Sequence, residues 1–252
     1  MRAVGVIPAR YGSTRLPGKP LADICGKPLI QRVYERAAAS GALDRLVVAT
    51  DDDRIVEAVR SFGGEAVLTS PDHPDGTSRV AEAASRFDGD IVLNIQGDEP
   101  LLDPVMVGEA VALLAEDESA LSATLCVPLA PSLLHDPAAV KVVFDLRGFA
   151  IYFSRSPIPF LRCPEGAPPL YEHIGIYAFR RDFLYRFVSL EATPLSRAES
   201  LEQLKILEHG YNMKVGVSSA VKLGPSVDTP DDLEQVRGIV RSMDAASDGR
   251  GA

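Results

Sequence analysis

The run Ala3-Val-Gly-Val-Ile-Pro8 is apolar or small at every position, not at every second one. A strand of that kind must be covered on both faces, which a parallel sheet sandwiched between helices provides. The same kind of run returns at 46–50, 66–69, 91–95 and 123–127. Helical patterns fill the gaps at 28–40, 52–62, 77–87 and 104–115, and in the second of these Ile55, Val56, Val59 and Phe62 recur with the helical period. Repeated strand–helix–strand units predict an α/β fold with a doubly wound, mostly parallel sheet.

After Pro128 the pattern changes. Segments 140–144 and 150–154, separated by Asp145–Gly148, read as a hairpin. A loop rich in proline and glycine covers 157–169, and 174–179 reads as another strand. Segment 198–209 is expected to be one amphipathic helix with Leu201, Leu204 and Leu207 on one face, and 215–217 a strand. Thr229-Pro-Asp-Asp232 opens a last helix, with Thr229 as its cap, proline in the first position and two acids in the first turn. The expected organisation is one domain over residues 1–244, a smaller mixed-strand lobe at about 129–212, and a disordered tail at 245–252. The leucine face lies in a lobe that looks too small to bury it, which points to a homodimer.

Composition narrows the function. Apolar residues make up 46% of the chain, too many for a disordered protein. The 26 Lys and Arg against 35 Asp and Glu give a net charge of −9, which argues against nucleic acid or an anionic membrane as partner. Cys25, Cys126 and Cys163 are odd in number and widely spaced, so no disulfide framework or zinc motif is indicated. Pro8 and Arg10 interrupt any signal-peptide core, and the longest uncharged stretch, 119–135, contains Pro128 and Pro131. A soluble cytoplasmic protein is expected.

The chemistry concentrates where strands end. The first strand runs into Arg10-Tyr-Gly-Ser-Thr-Arg-Leu-Pro-Gly-Lys19, and open α/β sheets bind ligands at such ends. Gly12 and Gly18 allow close backbone approach, Ser13 and Thr14 can donate, and Arg10, Arg15 and Lys19 can neutralise phosphates. The glycine spacing is not that of a Walker loop, and Pro20 stands where Ser or Thr would follow the lysine. A solvated surface loop is the alternative. Asp98, in Gln96-Gly-Asp-Glu-Pro100, follows the strongest strand and reads either as a Mg²⁺ ligand or as an acidic turn. Asp228, just ahead of Thr229, reads as a second carboxylate of that site or as part of the helix cap. Arg79, Arg155, His173, Tyr177, Glu202 and Gln203 are further candidates, each with an ordinary structural explanation. No general base stands out.

Several blocks together carry a family resemblance. They are 8–21, Val48-Ala-Thr-Asp51, Asn94-Ile-Gln-Gly-Asp-Glu-Pro100, Ala139-Val-Lys-Val-Val143, Tyr152-Phe-Ser-Arg-Ser-Pro-Ile-Pro159, His173-Ile-Gly-Ile-Tyr177, Leu201-Glu-Gln-Leu204 and Val227-Asp-Thr-Pro-Asp-Asp-Leu-Glu234. In this order they resemble the CMP-Kdo synthetases, the 3-deoxy-manno-octulosonate cytidylyltransferases. The chain departs from that pattern at Asp72-His-Pro-Asp-Gly-Thr-Ser-Arg79 and in the length of the loop at 161–170. The resemblance implies a nucleotide-diphospho-sugar transferase fold. It implies a cytoplasmic, homodimeric enzyme that couples CTP to Kdo (3-deoxy-D-manno-octulosonate), releasing pyrophosphate, for lipopolysaccharide synthesis. Another acidic sugar, such as 8-amino-Kdo or a sialic acid, is the alternative acceptor, and a non-catalytic nucleotide-binding module the alternative class. By the same resemblance Arg10, Gly12, Ser13, Arg15, Lys19, Thr77, Arg79, Gln96 and Asp98 would bind the nucleotide. Asp98 and Asp228 would hold Mg²⁺ and, with Lys19 and Arg15, form the catalytic set. Arg155, His173, Tyr177, Glu202 and Gln203 would line the sugar pocket.

Overall fold

The computed structural model describes residues 1–13, 15–163, 165–166 and 168–248, with the side chains of 246–248 set aside. The strands are β1 (Ala3–Ala9), β2 (Asp23–Ile24), β3 (Lys27–Pro28), β4 (Arg45–Thr50), β5 (Ala66–Leu68), β6 (Ile91–Ile95), β7 (Ser122–Pro128), β8 (Lys141–Phe144), β9 (Ala150–Ser154), β10 (Tyr171–Arg180) and β11 (Lys214–Val217). The helices are α1 (Leu29–Ala38), α2 (Asp53–Ser61), α3 (Gly76–Ala84), α4 (Pro104–Glu116), α5 (Arg181–Ser189), α6 (Pro194–Glu199), α7 (Leu204–Glu208) and α8 (Pro230–Asp248).

The central sheet runs β11-β7-β10-β6-β1-β4-β5. Its neighbours pair in parallel except at β10, which is antiparallel to both β6 and β7. The β8–β9 hairpin joins at Glu172 of β10, so the lobe expected at about 129–212 grows out of the sheet. Strand alternation explains the unbroken apolar runs. Ile7 of β1 and Val48 of β4 enter the core shared with α1, α2, α4 and α8. Val4, Val6 and Val47 enter a second core with α3 and α5 on the opposite face.

Three expectations are corrected. Segment 198–209 is not one helix: Ser200 adopts a left-handed conformation, φ 51°, that ends α6, and α7 begins at Leu204. The carboxylate of Glu208 folds back to accept from the amides of Leu195 and Ser196 and from the Thr193 hydroxyl, satisfying the start of α6. The leucine face is not free for a partner either, because Leu201 and Leu204 are buried in the chain's own second core with Leu207 packed against it. Finally, α8 continues through Asp248, since no Gly or Pro interrupts it after Gly238. Of the tail expected to be disordered, residues 249–252 lie outside those described. Helix α5 was not anticipated, although Phe183, Leu184 and Phe187 carry its helical spacing and are buried. Among the described residues, no helix is long and apolar enough to cross a membrane.

Chain winding reverses at β1: β4 and β5 extend to one side of it, β6 to the other. A crevice therefore opens beyond the carboxyl ends of β1 and β6. Gly97 makes the two ends meet, because a Cβ there would lie 2.6 Å from the Pro8 carbonyl oxygen. Gly97→Ala should therefore destabilise the fold by about 1–3 kcal/mol through forced backbone displacement. Gly12→Ala, with nothing within 4 Å of the added carbon, should leave the melting temperature unchanged or slightly raised. Thermal denaturation of the two variants side by side checks the pair.

Candidate active site

The loop after β1 wraps around Tyr11. Its carbonyl accepts from the amides of Ser13 and Gly18 at 2.9 and 3.1 Å. The Arg54 guanidinium lies 3.4 Å above its ring. Gly18 closes the turn at φ +69°, where a Cβ would also crowd the Tyr11 ring at 3.2 Å. The chain leaves this turn with Lys19 directed into the crevice. Lys19 Nζ donates to Asp98 Oδ2 at 2.8 Å and to Asp228 Oδ1 at 3.2 Å. Arg15 reaches the same Asp228 oxygen at 3.0 Å.

Asp228 had two readings, and the hydrogen bonds separate them. Thr229 Oγ1 accepts from the Asp232 amide, while Asp232 Oδ2 accepts from the amides of Asp228 and Thr229 and from the Thr229 hydroxyl. This reciprocal box serves the start of α8 without the Asp228 carboxylate. A backbone bond from Val227 N to Asp98 O, 2.9 Å, then ties the two carboxylate loops together. Both acids converge on one cationic centre. Two hard oxygen donors at a single point suit Mg²⁺, which is held by one or two carboxylates and completed by water and phosphate. Among the described residues there is no cluster of three or more metal-ligating side chains, so two carboxylates are what the site offers.

The crevice has a volume of about 430 Å³, within the range of small-molecule sites. Of the expected nucleotide residues, Arg10, Ser13, Arg15, Lys19, Arg79, Gln96 and Asp98 line it, as does Asp228. Gly12 and Thr77 do not. Arg79 is buried and braced, donating to Thr69 Oγ1 at 2.6 Å and Asp51 Oδ2 at 2.8 Å. Sequence reasoning missed His73, Pro74 and Asp75, which form another wall. They precede α3 at the same end of the sheet, so the βα topology was the signal that could have found them. Asp75 caps α3 by accepting from the Ser78 amide at 2.7 Å.

The expected sugar residues divide. Tyr177, Glu202 and Gln203, together with Thr77 from the expected nucleotide set, surround a second, much smaller cavity of about 10 Å³. The break between α6 and α7 is what turns Glu202 and Gln203 toward it. Thr77 donates to Glu202 Oε2 at 2.8 Å, and the Tyr177 hydroxyl to Gln203 Oε1 at 3.4 Å. Glu202 Oε1 and Gln203 Nε2 are buried with no hydrogen-bond partner. Burial, then the nearby Asp75 charge, pushes the Glu202 carboxyl up to about 7. Burial likewise pushes the Tyr177 phenol above its ordinary range.

Arg155 and His173 line neither cavity. Arg155 donates to the carbonyls of Glu199, Pro137 and Ser200, bracing the end of α6. His173 and Tyr177 lie four residues apart on β10, about 13 Å along a straight strand. A register shift between Ile174 and Tyr177 brings their rings to 5.4 Å. His173 Nε2 lies 2.9 Å from Thr124 Oγ1. The single Thr124 proton has carbonyl acceptors at Ile174 and Ile176, so Nε2 is the donor.

A doubly wound sheet with arginines, a lysine and two carboxylates at its switch point has the architecture of a nucleotide-phosphate site. Comparison with known proteins agrees. The cytidylyltransferase family matches residues 4–215. The 3-deoxy-manno-octulosonate cytidylyltransferase of Syntrophotalea carbinolica is 50% identical, over 96% of this chain and 100% of the relative. That of Syntrophobacter fumaroxidans is 53% identical, over 94% and 96% of the two chains. The solved structure of CMP:2-keto-3-deoxy-manno-octonic acid synthetase complexed with CTP aligns with TM-score 0.91 and 46% identity, covering 96% of this chain and all of that one. The chain belongs to the 3-deoxy-manno-octulosonate cytidylyltransferase family.

Burial, then the Lys222 charge, pushes the His173 imidazole down to about 3. It should stay neutral from pH 9 to about pH 4, with its proton on Nε2, as ¹⁵N chemical shifts would report. A folded-state pKa below the unfolded value makes the unfolded chain the better proton binder. Stability supplied by neutral His173 is therefore full above about pH 6.5 and falls as pH drops toward 3. His173→Gln should flatten that part of the stability curve in melts at pH 7.5 and pH 5.

Proposed function

We propose that this protein transfers the cytidylyl group of CTP to the anomeric hydroxyl of Kdo, giving CMP-Kdo and pyrophosphate for lipopolysaccharide synthesis. The observation that carries this reading is the convergence of Lys19 and Arg15 on Asp98 and Asp228 in a nucleotide-sized crevice. It unites phosphate-binding cations and metal-binding carboxylates.

In this mechanism Arg10, Arg15 and Lys19 bind the triphosphate and balance the charge that develops on departing pyrophosphate. The sugar hydroxyl oxygen forms a bond to the α-phosphorus as the bond to the β-phosphate oxygen breaks, and the hydroxyl proton passes to solvent. Such a transfer depends on positioning and charge neutralisation more than on a protein nucleophile. Asp98 and Asp228 would hold Mg²⁺, which when bound supplies further positive charge at the phosphates and the sugar carboxylate. Glu202 Oε1, which has no hydrogen-bond partner, is an acceptor, and Gln203 Nε2, likewise without one, is a donor. A sugar hydroxyl, which both donates and accepts, satisfies the pair. Tyr177, Glu202 and Gln203 therefore belong to the acceptor side of this reading. Consuming CTP assigns the reaction to the cytoplasm, and by likeness to the family the protein works as a homodimer.

Pyrophosphate release should require CTP, an acidic sugar and Mg²⁺ together. A panel of Kdo, 8-amino-Kdo and sialic acid identifies the acceptor, and equal rates with ATP or GTP would reject a cytidylyltransferase. Asp98→Asn and Asp228→Asn should melt near the parent temperature while kcat falls by on the order of 10², about 3 kcal/mol of lost electrostatic stabilisation. Because the two act on one centre, the double variant should be little worse than either single one. Light scattering that finds only a 27.0 kDa species at micromolar protein would remove the dimer.

A further inference from the structure

A chain of side-chain hydrogen bonds runs from the large crevice to the small cavity. Gln96, on the crevice wall, donates through Nε2 to Asn94 Oδ1 at 3.3 Å. Asn94, buried on β6, donates through Nδ2 to Thr77 Oγ1 at 3.1 Å. Thr77 donates to Glu202 Oε2 at 2.8 Å. With Gln96 as the donor, the Asn94 oxygen accepts from it and the Asn94 nitrogen faces Thr77. With that lone pair engaged, the single hydroxyl proton of Thr77 is directed to Glu202. Asn94 carries no titratable group and lines neither cavity.

We propose that Asn94 and Thr77 are positioning residues for the acceptor sugar. They hold Oε2 of Glu202 so that Oε1, which has no hydrogen-bond partner and lies 3.9 Å from the Lys205 ammonium, is presented to the small cavity, and they tie that presentation to Gln96 in the nucleotide crevice. This inference rests on the reading of the small cavity as the acceptor side. Glu202 is faced by Asp75 and Tyr177, and by Lys205 at 3.9 Å. Burial and Asp75 favour its protonated form, while the Thr77 hydrogen bond and Lys205 oppose them. Without the Thr77 proton, Glu202 would bind its own proton more firmly and lose its fixed orientation.

The test is steady-state kinetics with CTP and Kdo between about pH 6 and 9 for Thr77→Val, Thr77→Ser, Asn94→Leu and Glu202→Gln, all checked for cooperative melting. Thr77→Val should raise the acceptor KM about tenfold while the CTP KM stays within about twofold. The acid limb of its acceptor kcat/KM profile should move to higher pH, because the interaction favouring ionised Glu202 is gone. Thr77→Ser should restore both, and Asn94→Leu should shift both in the same direction by less. A packing role alone would lower the melting temperature without moving the acid limb. Unchanged acceptor KM in Thr77→Val and Asn94→Leu, with Glu202→Gln impaired, would overturn the relay and leave the cavity assignment standing. Unchanged acceptor KM in Glu202→Gln as well would overturn both. Should Thr77→Val not fold, Asn94→Leu against the parent carries the same comparison.

Discussion

The ammonium of Lys19 sits between Asp98 and Asp228, residues 79 and 209 positions away in the chain. Holding three such distant segments together takes most of the architecture. β1 and β6 must be neighbours so that their exit loops share one crevice. Gly97 must lack a side chain so that those loops can touch, and the loop before α8 must be tied to the Asp98 loop by a backbone bond. The two carboxylates would repel each other were no cation between them. Lys19, with its side chain 17% exposed, screens that repulsion from within the site. The folded state thus keeps two acids side by side around a single cationic group.

The antiparallel strand β10 does a second job at the same place. Lying between β6 and β7, it brings a differently oriented strand against the crevice wall, with Tyr177 opposite Asn94. Its irregularity beside Thr124 lets His173 and Tyr177 approach each other, and Gly175 leaves only 3.3 Å between a would-be Cβ and Gln96. A regular strand would send those side chains apart. The small cavity is therefore a product of a local defect in the sheet and of a broken helix across from it.

These two features mark the boundary of what sequence patterning conveys. The runs at 3–8 and 91–95 are read correctly because burial on both faces leaves no alternative to a central parallel strand. The leucines at 201, 204 and 207 mislead because a spacing of three also suits a turn between short helices, and the left-handed Ser200 has no glycine or asparagine to announce it. Asp228 and Asp232 both neighbour the same helix start, and only the hydrogen bonds distinguish cap from site residue. Thr77 and Glu202 are 125 residues apart, so their contact has no local trace. The basic loop stands out in the sequence because its cations cluster within ten residues; the His73–Asp75 wall of the same crevice does not, because it carries no such cluster.

The small cavity also shows how stability and selectivity oppose each other in this fold. A buried polar atom without a hydrogen bond costs about 1–3 kcal/mol. Gln203 Nε2 is such an atom, and Glu202 Oε1, also without a hydrogen bond, has only the Lys205 ammonium at 3.9 Å. Apolar residues there would give a more stable protein with nothing to offer a polyol. Because the penalty is already present in the free protein, an acceptor that satisfies both atoms relieves it on binding. An analogue lacking the hydroxyl leaves it in place, and a site built on buried polar groups can reject such an analogue by roughly 10⁴. On the proposed reading of this cavity as the acceptor side, selectivity for the sugar would come from unsatisfied polarity accepted during folding, at a point that the helix break and the strand irregularity create together.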